Sequence, residues 1–404
     1  MLRVLVIVGL ISFLSWFSNN TSFNVPTIRA EATSDLPEAK IPVFTVEDIR
    51  LFEERVTNLM TNTGFNGHVL VARNGNILFN RTMGYADLRN EIPLTHQTPF
   101  QLASITKTFT AAGVLILHQQ EKLHIDSLVV HYIHEFPYRN ITVRHLLNHT
   151  SGIQNYMWVM ERYWTHSRMP SNQDMLNTFN RQRRPLDFTP GTRFAYSNTG
   201  YAMLAMVIER VSGERFPDFM NDNIFAPLGM HNTFVFDAHV ESAPIDHRAL
   251  GFRPVRGGHA LIQPVSHDGV MGDKGIFSTA ADLFKWDRAI AANQLLSTSL
   301  WEKAFEKTRL RNENTINYGL GWRLQTFLDQ RIVHHPGRWS GFRTSFKRFI
   351  DSDATLIVLS NTSMNLSGLI ENIQKMLFHS EFAQNPGVEL TAEGEFEGAS
   401  NANN

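Results

Sequence analysis

The chain contains no cysteine. That excludes disulfides, thiolate catalysis, cysteine-borne lipids and every metal site built on thiolates. Net charge is almost absent too, −1 at pH 7 with histidine neutral, and basic residues form no block. By charge, nucleic acid and acidic membrane surfaces are not its partners. Long apolar runs are also missing. The longest stretch of that kind, Val4 to Phe17, falls short of the roughly 20 residues that a membrane-crossing helix needs. It follows Met1-Leu-Arg3 and precedes Ser18-Asn19-Asn20, a short basic start with an apolar centre that reads as a secretory signal. Residues 1–17 are therefore a signal peptide or a membrane anchor. No small-x-small site directly follows the run, and Ala30-Glu31-Ala32 stands well downstream, so both readings hold. Residues 18–44 are polar and Pro-spotted, a linker, and residues 383–404, rich in Gly, Asn and Glu, read as a disordered tail.

What is present is a chain of 404 residues, 43% of them hydrophobic, ample for a large core. Apolar residues near helical spacing predict a helix over Val46 to Leu59, stopped by Gly64. Two β-prone runs, His68 to Arg73 and Asn76 to Arg81, flank Asn74-Gly75, a strong hairpin signal. A helix follows to about Gln120, and Ile125 to Phe234 reads as mostly helical, with Pro and Gly breaks. Thr279 to Ala292 is a further helix. Strand candidates then come at Gly321 to Leu328, Arg331 to His334, Thr344 to Ile350 and Thr355 to Ser360, before a last helix over Leu369 to Phe378. Strands at both ends and helices between them predict an α/β chain of the α+β type. One antiparallel sheet is built from both chain ends and flanked by helices, with a mostly helical domain inserted at about 125–270. The main domain spans 45–382, and a site belongs in the cleft between its lobes.

Three short motifs carry chemistry. Ser104 and Lys107 stand three apart where a loop enters a helix, with Ser104 at the cap position, so hydroxyl and amine share a face. A serine hydroxyl needs such a neighbour to act as a nucleophile. The motif alone is cheap, since a chain of this length shows about one by accident. Tyr196-Ser197-Asn198 follows the Pro190-Gly191 turn, and Tyr138-Arg139-Asn140 repeats the same pattern as a decoy. In an extended loop Tyr196 and Asn198 point the same way, offering a proton carrier and an amide. The third motif, His334-His335-Pro336-Gly337-Arg338, ends a predicted strand, and its glycine allows a close backbone approach. Adjacent strand residues point to opposite faces, and no carboxylate stands nearby, so the two histidines do not read as a metal site. His124, His131 and His134 read as surface residues.

Ser104-x-x-Lys107, Tyr196-x-Asn198 and His335-x-Gly337, in that order, resemble the motifs of the penicillin-recognising serine hydrolases. These comprise class C β-lactamases, DD-peptidases, D-aminopeptidases and related esterases. Gly67-His-Val-Leu-Val-Ala, Gly84-Tyr-Ala-Asp, Ile141 to Gly152, Gly275 to Leu283 and Gly341-Phe342 extend the likeness over roughly residues 45–380. The resemblance implies a β-lactamase/transpeptidase-like fold and an acyl-enzyme mechanism. Ser104 would be the nucleophile, activated by Lys107 and Tyr196, and Asn198 and His335 would bind substrate. The backbone N–H groups of Ser104 and of Arg338, after Gly337, would form the oxyanion hole. It implies no metal and no cofactor.

One position departs from the pattern. β-Lactamases of this group usually carry threonine in the middle of the third motif, and here Pro336 has neither a hydroxyl nor an N–H. The sequence thus predicts an exported serine hydrolase for an ester or a D-amino-acid-type amide, small molecule or peptide, with Arg338 or Arg343 available to a substrate carboxylate. A β-lactamase is the rival within the class, and a non-catalytic peptide-binding module the rival outside it. Met157, Trp158, Tyr163 and Trp164 are candidate walls of the cleft.

Overall fold

The computed structural model describes residues 44–239 and 247–378. The proposed signal or anchor, almost all of the linker and the C-terminal tail lie outside them. Ten α-helices are described: α1 (Val46–Asn62), α2 (Thr106–Gln119), α3 (Val143–Leu147), α4 (Tyr156–Tyr163), α5 (Asn172–Gln182), α6 (Asn198–Ser212), α7 (Phe216–Met220), α8 (Ala280–Ala291), α9 (Thr298–Ala304) and α10 (Ser367–Phe378). The main sheet has six strands: β1 (Gly67–Arg73), β2 (Asn76–Met83), β3 (Arg323–Phe327), β4 (Gln330–Trp339), β5 (Phe342–Phe349) and β6 (Ala354–Ser360). Their spatial order is β3-β4-β5-β6-β1-β2, and every neighbouring pair is antiparallel. β1 and β2 come from the start of the domain and β3 to β6 from its end, as the strand pattern predicts.

Turn and cap chemistry sets the local structure. Asn74 and Gly75 both take positive φ, 49° and 75°, the mirror-image turn that suits the twist of a two-residue hairpin. Thr45 and Asp48 form a reciprocal capping box that starts α1. Alternation along the strands then divides the core. Val69, Val71, Leu356 and Val358 face the layer of α1 and α10, joined by Phe52, Val56, Leu369 and Ile373. Their neighbours Leu70, Ala72, Ile357 and Leu359 face the opposite side, where α2, α6 and α8 pack. α2 is buried at every position from Thr106 to Leu117, which makes it the central helix of that larger core.

The span at 125–270 holds α3 to α7 and also short strands, Phe234–Val235, Phe252–Val255 and Gly258–Leu261. One of these helps hold the site. Ile276–Ser278 pairs with both Phe100–Gln101 and Phe234–Val235, which brings the segment before Ile276 beneath α2.

Candidate active site

Ser104 lies in a single 3₁₀ turn, Ala103–Ile105, and α2 begins two residues after it at Thr106. The sequence placed Ser104 at a helix cap, but its hydroxyl caps nothing: the capping positions fall to Leu102 and Ile105, without side-chain bonds. The reason is backbone geometry. Ala103, fully buried, takes φ of 51°, a left-handed conformation that costs a non-glycine residue about 1 kcal/mol or more. The turn is held from both sides. The Leu102 N–H donates to the Ile276 carbonyl at 2.8 Å, and the Leu102 carbonyl accepts from Thr344 Oγ1 at 2.8 Å.

That clamp requires β4 to pass close by, which explains Gly337. A Cβ there would fall 2.3 Å from the Leu102 carbonyl oxygen and 2.0 Å from Thr344 Oγ1. Arg338, the next residue, lines the cleft with Ser104, Tyr196, Asn198 and His335, in a cavity of about 620 Å³.

Lys107 is fully buried one turn after the serine. Its ammonium donates to Ser104 Oγ at 3.2 Å and to the Asp273 carbonyl at 2.8 Å. The Asn198 amide lies against Met157 Sδ at 3.5 Å, and it is Asp273 that holds Lys107. The Asp273 backbone is anchored in turn by a buried network. Lys274 donates to Tyr156 Oη at 2.8 Å and to the His267 carbonyl at 2.6 Å, and stands 3.6 Å from the Asp273 carboxylate. Burial lowers the Lys274 pKa, while the charges of Asp273 and Asp268 act against that shift.

Tyr196 ends an extended segment before α6, and Asn198 is the first residue of that helix. Tyr196 Oη is buried in the cavity with no hydrogen-bond partner among the described residues. Its ring is flanked by the Lys107 ammonium, 5.0 Å from the centroid, and by the Arg323 guanidinium at 5.5 Å. His149 lies against it at 4.2 Å between centroids.

His335 is buried, and its ring bonds away from the serine. Nε2 meets Tyr318 Oη at 3.3 Å, and Nδ1 meets the Pro336 carbonyl at 2.7 Å. Burial first, then the charges of Lys107 and Arg323, push its pKa well below the usual histidine value, and the same causes act on His149. Both imidazoles are neutral.

Arg343 lines the same cavity, whereas the remaining sequence candidates fall outside it. Tyr138 of the decoy donates to the Arg184 carbonyl at 2.9 Å, and burial raises its pKa to about 12. His124 packs edge-on against His118 at 5.0 Å. Met157 reaches Asn198, whereas the Trp158 side chain is 61% exposed, and neither lines the cavity. Sequence reasoning missed Asp273, Lys274, Tyr318 and Arg323. The available signals were the charged pair Asp273-Lys274 within an apolar, Gly-rich stretch and a lone arginine opening a strand beside Trp322.

The chain is similar to known proteins. The chain is 38% identical over 307 residues to a penicillin-binding protein of Bacillus subtilis strain 168, covering 74% of this chain and 68% of that one. It is 25% identical over 306 residues to a D-aminopeptidase of Brucella canis, 75% of this chain but only 58% of that protein's length. Among solved structures, the D-amino acid amidase of Ochrobactrum anthropi, complexed with L-phenylalanine amide, superposes with a TM-score of 0.69. That alignment has 25% identity and covers 83% of this chain and 99% of the amidase. The model of the beta-lactamase family matches residues 52–378. The match runs through every element that builds the cleft, from within α1 to the end of α10, and the protein therefore belongs to the beta-lactamase family, as a serine hydrolase.

Proposed function

We propose that the protein is an exported hydrolase that acts through an acyl-serine on an ester or a D-amino-acid-type amide. The observation that carries this is Lys107 Nζ 3.2 Å from Ser104 Oγ, with Tyr196 Oη, which has no hydrogen-bond partner among the described residues, in the same cavity. In acylation the Lys107–Tyr196 pair enters the step one proton short, and it takes the proton of Ser104 Oγ as that oxygen attacks the substrate carbonyl carbon. The backbone N–H groups of Ser104 and Arg338 stabilise the oxyanion, and Asn198 holds the substrate carbonyl. As the tetrahedral species collapses, Tyr196 returns the proton to the leaving group. Water, activated by the same tyrosine, then cleaves the ester bond to Ser104.

The cavity wall favours an anionic substrate. Arg323, Arg338 and Arg343 line it, and none of its lining residues is a carboxylate. A guanidinium binds a carboxylate through two parallel hydrogen bonds. Pro336 offers neither a hydroxyl nor an N–H at the position where β-lactamases of the family use threonine, which disfavours efficient lactam hydrolysis. Export rests on the N-terminal segment, which serves as signal or as tether. Among the described residues no helix is long and apolar enough to cross a membrane.

The test is hydrolysis of p-nitrophenyl butyrate, of N-acyl-D-Ala-D-Ala and of a penicillin by the full chain and by its Ser104→Ala and Lys107→Ala variants. Turnover of the ester or the peptide that vanishes in both variants, with an acyl adduct on Ser104 by mass spectrometry, supports the proposal. Equal rates in all three proteins on every substrate overturn it and leave a binding module.

A further inference from the structure

Behind Tyr196 lies a buried cluster that the acyl-transfer steps do not use: His149, Tyr318 and His335. His149 Nε2 meets Tyr318 Oη at 3.1 Å, and the same oxygen meets His335 Nε2 at 3.3 Å. The outer atoms of this chain settle where the hydrogens sit. The Ser197 N–H donates to His149 Nδ1 at 3.3 Å, so that nitrogen is bare and His149 carries its hydrogen on Nε2. At the other end a carbonyl oxygen can only accept, so His335 carries its hydrogen on Nδ1, toward Pro336, and Nε2 is bare. Tyr318 therefore accepts from His149 and donates to His335. Tyr201, which touches the same cluster, gives its own hydrogen to the Leu147 carbonyl at 2.6 Å. One proton order satisfies every partner, and the opposite one leaves two donors facing each other.

The cluster bears directly on Tyr196. The Tyr196 hydroxyl has no hydrogen bond among the described residues, so its ring is oriented by the groups packed against it. The nearest ring is His149, at 4.2 Å and tilted by 39°, with His335 at 6.2 Å. Both residues flanking Tyr196 also bond to His149: the Ala195 N–H to its carbonyl at 3.0 Å, and the Ser197 N–H to its ring. His149 holds this place with φ of 58°, a strained conformation for a residue with a Cβ.

We propose that Tyr318 is a positioning residue, whose hydroxyl bridges His149 and His335 and through them holds the Tyr196 ring at Ser104. Tyr318 touches no substrate in this assignment. Because its importance rests on the role given to Tyr196, the experiment has one readout that is independent of turnover.

Selective imidazole ¹⁵N labelling of the full chain reports the tautomers, and steady-state ester hydrolysis reports turnover. The wild type is expected to show His149 protonated on Nε2 and His335 on Nδ1. Tyr318→Phe keeps the ring and removes the hydroxyl. It is expected to shift the Nε2 signal of at least one of these imidazoles, which loses its bond to the hydroxyl, and to lower kcat about tenfold or more with KM little changed, the pattern of a misplaced catalytic group. In a His149→Asn background the same substitution should cost much less, since coupled residues are not additive. The opposite tautomers in the wild type overturn the proposal. So does a Tyr318→Phe protein with wild-type kcat and unchanged imidazole signals, or an additive double mutant. Loss of all Ser104-dependent turnover in the wild type would refute the hydrolase reading instead, and the imidazole spectra would then decide on Tyr318 alone. They also decide if Tyr318→Phe does not fold.

Discussion

Replacing Gly337 with alanine tests the claim that the nucleophile turn and β4 are held at backbone contact. The added Cβ would lie 2.3 Å from the Leu102 carbonyl oxygen, 2.0 Å from Thr344 Oγ1 and 3.2 Å from Ala103 Cβ. Thr344 can rotate away, but only by giving up its 2.8 Å bond to that carbonyl. The Leu102 oxygen is backbone and cannot rotate. A tolerable contact of at least 3.0 Å therefore requires β4 and the turn to separate by about 0.7 Å or more. Overpacking of this kind costs about 1–3 kcal/mol of stability. The same displacement moves Ser104 relative to the Arg338 N–H, and a misplacement near 1 Å costs about 100-fold in rate. The expected protein is folded, melts some degrees lower and has lost about two orders of magnitude in kcat/KM on p-nitrophenyl butyrate. Gly368→Ala is the control: it sits in α10 with nothing within 4 Å of its Cβ. That change should leave activity intact and raise stability by about 0.5 kcal/mol. A Gly337→Ala protein with activity within about threefold of wild type would refute the argument, because the turn would then have slack that the contacts deny.

Lys274→Met removes the buried cation beside Asp273 and leaves its carboxylate uncompensated, a loss of about 3–5 kcal/mol readable in urea denaturation; an unchanged midpoint would mean the pair is dispensable. Arg343→Ala should raise KM about tenfold or more for a substrate with a free carboxylate and leave its C-terminal amide unaffected, whereas equal effects on both would remove the anion site. Acid should destabilise the fold well before its carboxylates titrate. Burial holds His68 to about 4 against 6.5 in the open chain, so between those pH values the unfolded state binds the extra proton. Stability is then complete above about pH 6.5 and falls by about 1.4 kcal/mol per pH unit for this one group as the pH drops toward 4. The lowered pKa values of His145, His149 and His335 act in the same direction, and a urea midpoint that is flat from pH 7 to pH 4.5 would contradict this.

By itself the sequence determined what neighbouring residues decide. Asn74-Gly75 makes a hairpin because both positions tolerate positive φ. Period-two alternation in Val69 to Ala72 and Leu356 to Leu359 places the sheet between two layers. Ser104 and Lys107 meet because a helical turn spans three to four residues. Even here the local reading overreached: Ser104 fits the pattern of a cap, yet the left-handed Ala103 turns it into the cleft. What only the tertiary structure decided are the partners brought from far along the chain. Lys107 takes its second bond from Asp273, 166 residues away, and Thr344 reaches Leu102 across 242. His149, Tyr318 and His335 meet from three separate segments. Such contacts carry no periodicity and no spacing rule, because they form where the sheet and the inserted helices pack together. A buried polar group takes whichever partner that packing supplies.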